Sequence, residues 1–418
     1  MKFHWFAEVT YPHLGLDFPQ RHDTAWVTIP PALADSGKIG ETYRMFLRLM
    51  QGADAVGFDG LAVNEHHQTA FAMTPSPNLM ASALAATTHN AAILVIGDSL
   101  ALYNPPTRVA EELGYLDCLS EGRLIAGFVV GTPMDVSHSY GVPPGEIRDR
   151  FHEARQLILR AWAAEEPFAF NGRFTQLRHV NPWPRPIQKP PPVWVPGTGS
   201  PETWDLVLDE GYCYGHLAFT GLHVAKPSVD GFWNRVQERG MEVNPNRMAF
   251  TQIICVADTD ADAEAQYHEA VKYFYTHNKV PSRFTTGPGY MTARAIRQRA
   301  QVAAQSDGKG VVSMSDIQRV AELGFWELHE KGFIIAGSPE RVRERVRELA
   351  TELRVGQLIT CMHFGNLSEE AARRNTELMG TEVIPHLRDL WADLPDEWTP
   401  AVSQGRVAAH AALDLVTT

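Results

Sequence analysis

The sequence predicts an α/β protein in which parallel strands close into a (β/α)8 barrel carrying insertion segments. Three observations lead there. Short apolar runs alternate with helical patterns along most of the 418 residues. About eight of these runs are each followed by a helix, which favours closure over an open sheet. The run 92–102 is nearly all apolar, as a strand covered on both faces has to be.

The chain opens with a strand over 2–9. Residues 10–40 are rich in Pro, Gly, His and Asp and too many for an ordinary connection, so they read as a functional or partly disordered loop. Residues 41–56 have an amphipathic helical period, and Gly57 suits a left-handed stop. The second strand is 60–63, followed by a helix over 77–89 and the third strand, 92–102. Pro105 and Pro106 introduce the helix 109–119, since the first N–H groups of a helix have no partner to lose. Gly122 ends it, and 123–130 is the fourth strand. After a helix over 149–163, residues 168–174 read as a hairpin with Asn171-Gly172 as a type I′ turn. A proline-dense connector, 181–192, leads to the fifth strand, 193–196, and a helix over 200–211. Strand candidates then fall at 212–219, 250–256, 332–335 and 357–364, with helices such as 260–275 and 339–353 between them. The barrel is expected to occupy 1–394, with a polar insertion at about 276–323 that holds some helix of its own. Residues 395–418 read as a peripheral or interface tail.

Composition limits the function. A hydrophobic content of 44% supports a sizeable core, and the net charge is -12. With an isoelectric point near 5.8, that balance argues against nucleic acid and against an anionic membrane surface. Cys118, Cys213, Cys255 and Cys361 form no close pair, which fits reduced, buried thiols in the cytoplasm. The N-terminus is no signal peptide, and no apolar run is long enough to span a bilayer.

Three stretches carry chemistry. The first is Asn64-Glu65-His66-His67, where an apolar strand ends in an amide, a carboxylate and two imidazoles. Polar groups at the C-terminal end of a buried strand mark sites in α/β proteins. A solvated loop is the bland alternative. Zinc is not expected: adjacent histidines diverge, and no HExxH or CxxC spacing occurs. The second stretch is Gly197-Thr198-Gly199-Ser200, a glycine turn opening a helix. Its N–H groups, helix dipole and hydroxyls suit a phosphate. It also reads as an ordinary capped turn with Ser200 as N-cap and Pro201 at the first helical position. No GxGxxG follows a strand and no Walker motif is present, so a dinucleotide or nucleoside triphosphate is unexpected. The third stretch, 127–145, includes Gly131 and Tyr140 and precedes Arg148 and Arg150. Either arginine suits an anion, or both belong to a solvated helix face.

Four blocks together resemble the bacterial luciferase-like flavin monooxygenases. They are Asn64-Glu65-His66-His67; the run from Pro106-Thr107-Arg108 to Ser120-Glu121-Gly122-Arg123-Leu124; Pro192-Val193-Trp194-Val195 with Gly199-Ser200-Pro201-Glu202-Thr203; and Gly337-Ser338-Pro339-Glu340 with Met362-His363-Phe364-Gly365-Asn366. The resemblance spans about 1–390 in the right order. It implies a luciferase-like (β/α)8 barrel, commonly a homodimer. It also implies a two-component monooxygenase that takes reduced FMN (FMNH2) from a separate NAD(P)H:flavin reductase. Such an enzyme uses O2 to oxygenate a small organic substrate through a flavin hydroperoxide. By the same resemblance, neutral His66 would hydrogen-bond or take a proton at the reacting oxygen, and Glu65 would shape the pocket. Asn64, Gly97, Asp98, Ser99, Gly131 and Tyr140 would line the cofactor, with a non-proline cis peptide often found in the 97–100 segment. Arg148 or Arg150, Gly197, Thr198, Gly199 and Ser200 would hold its phosphate. The chain departs from luciferase at Val130, where luciferase has an arginine, and in the long 10–40 segment, so light emission is not implied. A reactive oxygenated flavin needs a dry, mostly apolar pocket, and Trp5, Phe71 and Trp194 are expected to help supply it. A deazaflavin-dependent hydride-transfer enzyme and a non-catalytic flavin-binding protein are the alternatives.

Overall fold

The structure, a computed structural model, describes residues 1–15, 17–285, 287–305 and 317–407. Strands β1 (Lys2–Ala7), β2 (Gly60–Val63), β3 (Ala92–Ser99) and β4 (Leu124–Val129) pair side by side in that order, all parallel. The hairpin β5 (Phe168–Asn171) and β6 (Gln176–Val180) forms a separate small sheet. The main sheet continues through β7 (Val193–Gly197), β8 (Cys213–His216) and β9 (Met248–Val256). After β10 (Ile334–Gly337), strand β11 (Gln357–His363) pairs with both β9 and β1, so eight parallel strands close a barrel. The ninth, β10, is extra. Ile253 pairs with Ile334 of β10 and with Cys361 of β11. β10 therefore lies on the β8 edge of β9, where β8 has already stopped.

Burial explains the strands. All eight residues of β3 and all nine of β9 are buried, as in a barrel wrapped by helices. At β3 the register with β4 slips between Val95 and Asp98. Glycine makes this bulge possible. A Cβ on Gly127 would lie 2.0 Å from the Val95 carbonyl oxygen, and one on Gly97, at φ +151°, would lie 2.8 Å from the Val129 side chain. The bulge re-aims the end of β3 just before the barrel mouth.

Arg123 gives a physical account of the Gly-Arg-Leu block. It is 2% exposed, and its guanidinium donates to the carbonyls of Ser120, Ala85, Thr88 and Ala91 and to the Thr88 hydroxyl. One side chain thus ties the start of β4 to the end of the helix Pro77–Thr87 and the start of β3.

Several boundaries differ from the sequence reading. The helix expected over 41–56 starts earlier, at Ser36–Ala55, because the Asp35 carboxylate caps the N–H groups of Gly37 and Lys38. The hairpin loop is Gly172 to Thr175, not a two-residue Asn171-Gly172 turn. The Glu153 carboxylate accepts from the N–H groups of Arg173, Phe174 and Thr175, which opens the loop. The 10–40 segment forms short helices at Phe18–Arg21 and Pro31–Leu33. The insertion holds the helix Ala293–Gln305, while 306–316 lie outside the described residues. The stretch beyond Pro395 is not peripheral at its start. Trp398 and Thr399 are buried, and the Trp398 carbonyl accepts from the Trp194 indole at 2.8 Å. Residues 408–418 of that tail lie outside the described residues. The cysteines are free, and Cys118 is exposed, not buried like the other three. Among the described residues no helix is long and apolar enough to cross a membrane.

Candidate active site

Because the eight barrel strands run parallel, their C-terminal ends share one face. The predicted residues at the ends of β2, β3 and β7 meet there. His66 follows β2, and its Nδ1 lies 2.8 Å from Oδ2 of Asp135, in the loop after β4. The same carboxylate accepts from the His67 backbone N–H at 2.8 Å and from the Thr132 hydroxyl at 2.8 Å. Asp135 is 1% exposed. Burial alone would raise its carboxyl, but the His66 charge and these donors hold it below the usual carboxylate range. Burial alone would lower His66, yet Asp135 outweighs it and the imidazole is pushed up to about 9. The expected neutral His66 is therefore revised: near neutral pH this structure favours the imidazolium. Its side chain stays 18% exposed.

His67 and Glu65 form a second, separate unit. His67 Nε2 lies 2.8 Å from Glu65 Oε1, and Nδ1 lies 3.2 Å from the Tyr140 hydroxyl. Glu65 also accepts from the Ser99 N–H at 2.5 Å and from Tyr103 at 3.1 Å. It is a locked carboxylate that fixes the β2 and β3 ends relative to each other. Asp98 turns to Asn78 and Tyr103, and burial beside Glu65 and Glu112 pushes its carboxyl up. The three cis peptide bonds among the described residues all precede proline, so the 97–100 segment has none.

Aromatic cover comes from an unexpected source. Trp26, from the 10–40 segment, stands edge-on to His66 with ring centroids 5.1 Å apart, and Phe71 lies 5.4 Å from Trp26. Trp5 instead donates to Thr376 in the helix layer, and Trp194 contacts His4 and the C-terminal segment. Of the three aromatics expected at the mouth, only Phe71 is there.

The glycine turn follows β7. The Arg148 guanidinium reaches the Ser200 hydroxyl at 3.4 Å, while its Nη1 is buried with no hydrogen-bond partner among the described residues. Burial lowers its pKa, with Glu202 opposing. Arg150 is engaged elsewhere, on Glu146 and over the Phe174 ring at 4.5 Å. Of the two arginines, Arg148 is the one that reaches the glycine turn. Ser200 sits at the N-cap but makes no cap bond; its hydroxyl donates to Glu202 at 2.8 Å. Thr198 is exposed, and Gly199 donates its N–H to Tyr214 at 2.9 Å. The insertion closes over this side: Thr292 donates to Glu202 at 2.5 Å and Tyr290 to the Gly131 carbonyl at 3.3 Å.

Sequence reasoning missed Asp135, Trp26 and Tyr103. Asp135 lay inside the third stretch, and an acid between Met134 and Val136 was the available signal. Trp26 had none, since its partner is 40 residues away in sequence. An open groove of about 750 Å³ elsewhere, lined by Asp260, Trp326 and Arg341, is no rival. The Arg341 charge is already paired with Asp260 at 2.7 Å. Among the described residues no group of His, Cys, Asp and Glu suits a metal ion.

The eight-stranded parallel barrel gathers a buried histidine–carboxylate pair at its C-terminal mouth, as enzymes of this barrel class do. The sequence profile of luciferase-like monooxygenases matches residues 23–356, and the chain belongs to that family. It is 26% identical over 360 residues to 2,5-diketocamphane 1,2-monooxygenase 1 of Pseudomonas putida, covering 82% of this chain and 93% of the relative. It is 27% identical over 246 residues to the oxygenase component of the flavin-dependent trigonelline monooxygenase of Acinetobacter baylyi, covering 57% and 65%. Among solved structures it resembles the oxygenating constituent of 3,6-diketocamphane monooxygenase of Pseudomonas putida in complex with FMN. That match has a TM-score of 0.66 and 20% identity over 92% of this chain and 98% of the other. It supports the barrel.

Proposed function

We propose that this chain is the oxygenase component of a two-component monooxygenase that uses reduced FMN and O2 to oxygenate a small organic substrate. The observation that carries this is the sharing of one barrel mouth by the His66–Asp135 pair and the Arg148–Ser200 turn. A ring-bearing phosphate ester fits that pairing. The Nη1 of Arg148 is a buried donor with no acceptor among the described residues, and a phosphate would supply one. Gly199, at φ +103°, has no room for a Cβ, which would lie 2.3 Å from the Ser228 hydroxyl. Only glycine lets the turn pack this closely.

Reduced flavin, when bound, supplies the two electrons that activate O2. The protein does the rest. Arg148, Thr198 and Ser200 would hold the phosphate, and the 97–100 segment with Asn64 would line the ring. His66, as imidazolium, presents a proton at Nε2 to a developing oxygen charge. Trp26 and Phe71 keep water from it. The relative named as an oxygenase component supports a separate NAD(P)H:flavin reductase. A cytoplasmic location accompanies that reading, where free thiols and reduced nicotinamide are found. A second copy of the chain is the partner we assign to the outer face of helices Pro77–Thr87 and Thr107–Leu119. There Leu79 is 75% exposed, Tyr115 52% and the neighbouring Trp183 80%.

The test is to mix the chain anaerobically with reduced FMN and candidate ketones, terpenes and N-heterocycles, then admit ¹⁸O2. Product carrying one labelled oxygen is expected. NADH oxidation by the chain alone at enzyme-like rates, or substrate oxidation with a deazaflavin and no O2, would overturn the reading.

A further inference from the structure

Two donors of the turn after β7 are already engaged within the chain. The Gly199 N–H donates to the Tyr214 hydroxyl at 2.9 Å. A serine hydroxyl has a single proton to donate. That of Ser200 goes to Oε2 of Glu202 at 2.8 Å, while its oxygen accepts from Arg148 at 3.4 Å. Glu202 is itself held from the other side. Its Oε1 accepts from the Thr292 hydroxyl at 2.5 Å. The Thr292 oxygen in turn accepts from the Ala295 N–H at 3.0 Å, at the start of the helix Ala293–Gln305. Further along the helix Pro201–Glu210, Asp205 pairs with Arg294. Glu202 and Asp205 are three apart and share a helix face, so the insertion is fastened to this helix at two neighbouring points. The carboxylate beside Ser200 is thereby fixed in place.

We propose that Glu202 sets how tightly this turn holds a phosphate: pinned by Thr292, its carboxylate occupies the Ser200 hydroxyl that a phosphate would take, and its charge opposes the incoming anion. The inference rests on the reading that the turn holds the cofactor's phosphate. For Ser200 to bond a phosphate oxygen, its proton must turn away from Glu202. Oε2 then loses that donor, and two like charges stand on either side of one hydroxyl. Burial would raise the Glu202 carboxyl. The Thr292 and Ser200 hydroxyls, its own backbone N–H and the Arg148 charge hold it below the usual carboxylate range, so the negative charge is present. Arg148 keeps a buried Nη1 with no acceptor among the described residues, but Glu202 already offsets part of its charge. A ligand without a phosphate meets neither effect. The consequence is a cofactor held loosely enough to arrive and leave, as an oxygenase supplied by a separate reductase requires.

The test is the dissociation constant of FMN and of riboflavin, read by tryptophan quenching on the full chain. Glu202→Gln is expected to tighten FMN by on the order of fivefold or more, the factor that a like charge at contact range imposes even in water. Riboflavin should bind as it does to the parent. Glu202→Ala, which brings no new donor, should tighten FMN in the same sense. Thr292→Val leaves the carboxylate in place but frees it to turn from Ser200, so it should give a smaller gain for FMN alone. That variant covers the case of Glu202 variants that do not fold. A carboxylate that merely orients Ser200 would give the opposite sign. FMN binding unchanged or weaker in the folded Glu202 variants, or riboflavin tightened equally, overturns the inference. Arg148→Ala separates the two readings. If it weakens FMN while the Glu202 variants do not tighten it, only this inference falls. If it leaves FMN untouched, the phosphate lies elsewhere and both fall.

Discussion

His66 and Asp135 are joined at 2.8 Å across the barrel mouth, from the end of β2 to the loop after β4. The bond does more than orient one ring. The other Asp135 oxygen takes the His67 backbone N–H, so a single carboxylate sets both the ring of one histidine and the main chain of the next. The two imidazoles are forced apart, His66 toward Trp26 and His67 toward Glu65.

A pH dependence of stability follows. His66 is pushed up to about 9 in the folded chain, above the ordinary 6.5 of an unfolded one. Its stabilisation is complete below pH 6.5 and is lost as pH rises through 9. Linkage sets the amount at about 3 kcal/mol. Chemical denaturation at pH 6 and pH 9.5 should show that loss in the parent chain and little of it in Asp135→Asn. An equal pH dependence in the two would remove the pair as its source.

Flavin binding should separate phosphate from ring. Arg148→Ala should weaken FMN by about 1–3 kcal/mol through a lost charge-assisted bond. Riboflavin, which has no phosphate, should be unaffected. Thr198→Ala with Ser200→Ala should act the same way. Because Ser200 makes no cap bond to the helix, thermal stability should change little. Equal losses for FMN and riboflavin, measured by tryptophan quenching, would place the phosphate elsewhere.

Arg123 should be worth more to the fold than to the chemistry. Arg123→Met keeps the length of the side chain but takes the donor from four carbonyls, while the Thr88 hydroxyl keeps its bond to the Leu84 carbonyl. At about 1–3 kcal/mol for each buried group left unpaired, the loss should be at least about 3 kcal/mol. A midpoint within error of the parent would show that water or neighbours replace those bonds.

The barrel was legible because its signals are local. Alternating apolar runs and helices need no partner information, and the Asn64-Glu65-His66-His67 cluster marks itself by following an apolar strand. What was not legible depends on contacts between distant segments. Nothing near Trp26 says that its indole meets His66. Nothing near Asp135 says that it accepts from both His66 and His67. That Arg148 and not Arg150 reaches the glycine turn depends on the position of Ser200, 52 residues on. Nor does the 332–335 run show that its strand extends β9 beyond β8 and stays out of the barrel circle. These are properties of closure, which places strand ends side by side irrespective of sequence distance.

The two histidines should respond differently to removal. His66→Ala leaves Asp135 with the His67 N–H and the Thr132 hydroxyl, so the carboxylate stays solvated by donors and the fold should persist. What is lost is the imidazole that keeps 18% of its side chain open beside Trp26. Removing one acid–base group of this kind typically lowers turnover about 10²–10⁴-fold. Oxygen should then still be consumed, with the electrons going to hydrogen peroxide in place of product. His67→Ala instead takes a partner from Glu65, a buried carboxylate that holds Ser99 at the end of β3. Its cost should appear as about 1–3 kcal/mol of stability, with a smaller loss of turnover. Product and peroxide measured side by side, with unfolding curves for both variants, distinguish the two. Coupled turnover in folded His66→Ala would move the catalytic role off this residue, and with it the reason for placing the reacting oxygen beside Trp26.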